Sequence, residues 1–73
     1  MANDSNTGVK DTNYDLISMI HHTMEATVRY TEYIKDAEEA GDQELAQFFT
    51  ETQNAAKTTG QKAQDHLAKR LAK

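Results

Sequence analysis

Ala37-Glu38-Glu39-Ala40-Gly41-Asp42-Gln43-Glu44-Leu45 decides how this chain is built, because its centre is the only short stretch carrying both a helix stop and a helix start. Gly41 suits the left-handed position that closes a helix. Asp42 is a strong N-cap for the next one, and Glu44 falls near its positive end. With no proline in the chain, nothing else forces a break. Upstream, Leu16, Ile17, Ile20, Met24, Thr27, Val28, Thr31 and Ile34 recur in steps of mostly three and four, while His22, Glu25, Arg29 and Asp36 lie mostly opposite. Downstream, Leu45, Phe48, Phe49, Thr52, Ala56, Thr59, Ala63, Leu67 and Leu71 repeat the pattern. Thr12 is the expected first N-cap with Asp15 in the first turn, and Lys69, Arg70 and Lys73 crowd the last turn. Gly60, beside Thr58 and Thr59, reads as a weak point costing about 1 kcal/mol relative to alanine. The expected fold is an all-α antiparallel hairpin, with a helix over 13–40, a turn at 41–42 and a helix over 43–72. Residues 1–12 hold Val9 as their one sizeable apolar side chain and read as a flexible arm.

The chain has 73 residues, of which 37% are hydrophobic, so a lone copy has little to bury. Twelve acids against eight bases give a net charge of −4, which argues against nucleic acid as a partner. A hairpin dimer binding RNA would need clustered Lys and Arg, whereas these are scattered, with four between Lys62 and Lys73. No apolar run is long enough to span a bilayer, and residues 1–10 lack the apolar stretch of a secretory signal. With no cysteine, disulfides and thiolate metal sites are excluded. A cytoplasmic location is the expectation.

Two amphipathic helices leave an apolar stripe half covered, and a second hairpin around a two-fold axis covers the rest. A homodimeric four-helix bundle is therefore expected, packed through Ile17, Ile20, Met24, Ile34, Leu45, Phe49, Leu67 and Leu71. Between these ends the inward rows hold only Thr23, Thr27, Thr52, Ala56, Thr59 and Ala63. Such small residues either let helices approach closely, each threonine bonding back to a carbonyl one turn earlier, or line a ligand cavity. Close packing is the first expectation, because interiors are normally filled.

Arg29-Tyr30-Thr31, Ala37-Glu38-Glu39-Ala40-Gly41 and Ala46-Gln47-Phe48-Phe49 with Glu51-Thr52 together resemble half of a rubrerythrin-type, ferritin-like domain over residues 16–67. The resemblance implies a four-helix bundle, which in full-length members cradles a di-iron site made by inward glutamates and Glu-x-x-His pairs. Placed in that phase, the first-helix glutamate falls on Thr23, and the Glu-x-x-His pair falls on Ala56 and Thr59. Threonine and alanine do not hold iron in this way, so the resemblance implies a degenerate site without oxidase, peroxidase or iron-storage activity.

Residues with chemistry to offer are few. His21 and His22 can each meet Glu25 on a helix surface, and imidazole with carboxylate suits iron or zinc, so a relocated metal site is the alternative reading. The competing reading is one histidine on a helix seam and one in solvent. Asp65-His66 near a helix C-terminus is favourable electrostatically without any ligand role. Tyr14, Tyr30 and Tyr33 cover a bundle seam or face an unknown protein partner. The five acids between Asp36 and Glu44 read as a solvated turn, able to select a basic partner. Ser5 and Ser18 have no base on the same face, and the glycines are dispersed, so no catalytic set or phosphate loop is expected. The expected function is that of a non-catalytic, homodimeric interaction or scaffold module.

Overall fold

Asp42 does two jobs at the turn. Its backbone N–H donates to Ala37 O at 2.9 Å and helps close the helix behind it, while its side chain accepts from Leu45 N at 3.0 Å and caps the helix ahead. Between them Gly41 takes a φ of 75° and donates to Glu38 O at 3.0 Å, completing a left-handed C-terminal motif. In this computed structural model, which describes residues 11–72, the turn joins helix α1 (Thr12–Glu39) to helix α2 (Gln43–Leu71). No other helix and no strand occurs among the described residues.

The all-α hairpin expected from the sequence is present, with small shifts at its ends. Asp11, not Thr12, is the first N-cap, accepting from Tyr14 N at 3.0 Å. A carboxylate is the better acceptor and adds a favourable charge at the helix N-terminus, so the helix starts one residue earlier. Of the arm expected over residues 1–12, residues 1–10 lie outside the described residues, and Thr12 is already helical. At the far end Lys69 and Arg70 occupy the last turn of α2, where cations suit the exposed carbonyls.

The packing seam is narrower than expected and rotated. On α1 it follows Leu16, Ile20, Thr23, Thr27, Tyr30, Ile34 and Ala37; on α2 it follows Ala46, Phe49, Gln53, Ala56, Gly60, Ala63 and Leu67. Every one of these is buried or half-buried, and both rows alternate steps of three and four, the spacing of a coiled-coil seam. The apolar residues that become buried are Ala37, Ala46 and Ala63, with Gly60 buried beside them. Of the residues expected to pack the dimer or its core, Ile20, Ile34, Phe49 and Leu67 are partly covered within the single hairpin, and Ile17, Met24, Leu45 and Leu71 are exposed on it. The cause is backbone approach. Helices this close must place their smallest side chains between them, and that requirement, not the apolar average, sets the rotation.

Gly60 marks a close approach of the two helices. A Cβ built there would lie 2.7 Å from Thr23 Oγ1, so the glycine expected as a weak point is where the two helices meet. Thr23 Oγ1 donates to Ile20 O at 2.9 Å and Thr27 Oγ1 to Thr23 O at 2.8 Å, the back-bonding expected of threonines in close packing. Gln53 reaches across the seam, its amide donating to Thr27 O and Thr31 Oγ1, each at 2.8 Å. A cross-helix bond to a backbone carbonyl fixes register in a way apolar contacts do not.

Candidate functional site

A seam of small residues leaves each long side chain leaning to one side or the other, so the hairpin has two different flanks. On the first, both helices supply the lining. Ser18, Met19, His22, Ala26 and Tyr30 of α1 face Thr52, Ala55, Ala56 and Thr59 of α2 across an open groove of about 840 Å³. On the second, Met24 and Val28 of α1 face Lys57, Gln61 and Gln64 of α2 across a smaller hollow of about 310 Å³.

The first flank carries an aromatic chain beside its groove. Tyr30 and Tyr33 have ring centroids 5.6 Å apart, Tyr33 and Phe49 5.6 Å, and Phe48 and Phe49 5.9 Å, all in tilted geometry. These are favourable separations for aromatic pairs. Phe48 nevertheless keeps 58% of its surface in water, and Tyr33, Leu45 and Met19 are also exposed. The second flank exposes Val28 at 66% together with Ile17 and Met24. Nine large hydrophobic side chains in all are exposed among the described residues, and none is fully buried.

The positions that the ferritin-like resemblance assigns to iron ligands divide between seam and groove. Thr23 and Ala56 are half-buried in the seam, whereas Thr59, expected to face the core, is exposed on the rim of the groove. The rotation that brings Gly60 against Thr23 carries its neighbour Thr59 outward. The threonine-lined centre is thus packed at Thr23 and open at Thr52 and Thr59, where the hollow is a surface groove, not an enclosed cavity.

Of the histidine cluster, His21 Nε2 lies 3.6 Å from Glu25 Oε2, both side chains being at least half in solvent. The His21 and His22 rings are 5.8 Å apart and tilted, and His22 lines the aromatic-flank groove. Among the described residues no three His, Asp or Glu side chains are placed to hold one ion. Asp65 accepts from Gln61 Nε2 at 3.1 Å, and His66 lines a hollow near the open end with Leu16, Met19 and Arg70. Tyr14 and Tyr30 line the large groove.

Sequence reasoning missed Gln53 and Gly60, the two residues that lock the seam. The signal was present: Ala46, Gln53, Gly60 and Leu67 are spaced by seven, interleaved with Phe49, Ala56 and Ala63. Among the described residues no helix is long and apolar enough to cross a membrane. No known family model, curated protein or solved structure matches the chain.

Proposed function

We propose that this chain is a non-catalytic cytoplasmic helical hairpin that pairs with a second copy into a ferritin-like four-helix bundle and serves as an interaction or scaffold module. The observation that carries this reading is the composition of the seam. Among the described residues the hairpin buries only alanine and glycine, while Phe48, Leu45, Met19, Met24 and Val28 stay in water. Two helices side by side make one layer, and a stable domain needs a second layer to cover its apolar face. A copy of the same hairpin supplies one, with the same residues on both sides of a two-fold axis.

The degenerate metal positions support the non-catalytic part. Thr23 spends its hydroxyl on Ile20 O, and Ala56 and Thr59 offer a methyl and a neutral hydroxyl where the resemblance expects glutamate and histidine. A scaffold of this size acts through the shape and charge of its outer surface.

Sedimentation equilibrium over micromolar concentrations tests the pairing. The expected result is a species of twice the chain mass that is helical by circular dichroism. A helical species of single-chain mass across the same range contradicts it.

A further inference from the structure

The two ends of the hairpin differ in both charge and shape. Residues 32–51, around the turn, carry seven acids against Lys35 alone, a net charge of −6. The remaining described residues, towards the open end, carry five bases against four acids, a net of +1 with the histidines neutral. The turn half exposes Phe48, Tyr33 and Leu45, whereas small residues, Ala26 and Ala55, line the groove at mid-hairpin and Ser18, Met19 and Thr59 line it beyond.

We propose that the second copy docks on the aromatic flank, antiparallel, with the turn half of each hairpin over the open half of the other and the two-fold axis near Ala26 and Ala55. This deepens the pairing proposed above and rests on it. The aromatic flank is favoured over the Val28 flank because its α2 wall, Thr52, Ala55, Ala56 and Thr59, carries no charge and its Asp15 and His22 lie on the open half only, whereas Lys57, Gln61 and Gln64 would have to be desolvated on the other. Antiparallel docking brings Phe48 and Tyr33 of each copy to the Ser18 and Met19 level of its partner's groove, as far from the axis on the other side, with alanines at the axis where the backbones come nearest. It also sets each acidic half against Lys62, Lys69 and Arg70 of the other copy. A parallel dimer instead stacks two halves of −6. Like charges so close cost free energy and act as a selector of orientation more than of affinity.

Because the chain contains no cysteine, single labels report the arrangement cleanly. A nitroxide on Glu39→Cys, exposed beside the turn, lies thirteen residues from Ala26. At about 1.5 Å per residue, antiparallel pairing places the two labels about 40 Å apart in pulsed dipolar spectroscopy. In the same preparations an Ala55→Cys variant is expected to join to its own copy through a short bis-maleimide, since Ala55 sits at the axis of this flank only. A Glu39 distance below about 25 Å overturns the antiparallel order and leaves the dimer intact. Failure of Ala55→Cys to cross-link, with the long distance retained, overturns the choice of flank. Absence of any dipolar modulation overturns the pairing itself, and with it the function proposed above.

Discussion

Adding one methyl group at Gly60 separates two forces that usually cannot be told apart. Helix propensity favours alanine over glycine by about 1 kcal/mol. Packing opposes it, because the new Cβ would sit 2.7 Å from Thr23 Oγ1, an atom held by its bond to Ile20 O. Overpacking typically costs about 1–3 kcal/mol, so Gly60→Ala is expected to lower stability despite its better propensity. In a Thr23→Ala background the obstruction is gone, and the same change is expected to raise stability by about 1 kcal/mol. Thermal unfolding of the four variants at one protein concentration reads the reversal. A stabilising Gly60→Ala in the native background would falsify the close approach. Propensity alone gives the wrong sign here. Gly60 looks like a weakness until Ala46, Gln53 and Leu67 are seen to share its heptad phase.

At the scale of elements, the turn was the most legible part of the chain. Gly41 and Asp42 are each suited to a role that few other residues fill, and both perform it, with a φ of 75° and a capping distance of 3.0 Å. Gly41→Ala is expected to cost about 1–2 kcal/mol, the penalty for a side chain in left-handed backbone, even though no atom lies within 4 Å of the added Cβ. Asp42→Ala is expected to cost about 1 kcal/mol through the lost cap. Chemical denaturation of both variants checks these values; a neutral Gly41→Ala contradicts the strain. Which face of each helix turns inward was much less legible. An apolar row predicts the buried face when the partner is far enough away to receive large side chains. Here Ala37, Ala46, Gly60 and Ala63 draw the backbones together, and Ile17, Met24 and Val28 are left beside the seam, not in it. Thr59 misled for the same reason. A row chosen by hydrophobicity takes it with Ala56 and Ala63, whereas the seam takes Gly60.

For the whole molecule, the consequence is that nine large apolar side chains, Phe48 and Val28 among them, stay exposed among the described residues. The two flanks respond differently to the same charge. Phe48→Asp on the aromatic flank is expected to halve the mass seen by light scattering and lower helicity, whereas Val28→Asp on the opposite flank leaves the dimer in place. Reversal of these two outcomes would assign the seam to the Val28 flank. His21 does not line the aromatic-flank groove, so a His21→Ala variant is expected to keep the dimer mass. The candidate site was legible as residue types and not as an arrangement. The aromatics and the acidic turn are evident in the sequence, but their division between two flanks depends on a seam only three and four residues wide in phase.

If a second copy completes the fold, as proposed, folding is bimolecular. The most direct measurement is the unfolding midpoint of the unaltered chain, followed by circular dichroism across a hundredfold range of protein concentration. A folded state stabilised by its own partner gains stability by mass action as concentration rises. The account predicts a midpoint that climbs steadily across that range. A cooperative midpoint that stays constant would mean that the hairpin stands alone, and would contradict it.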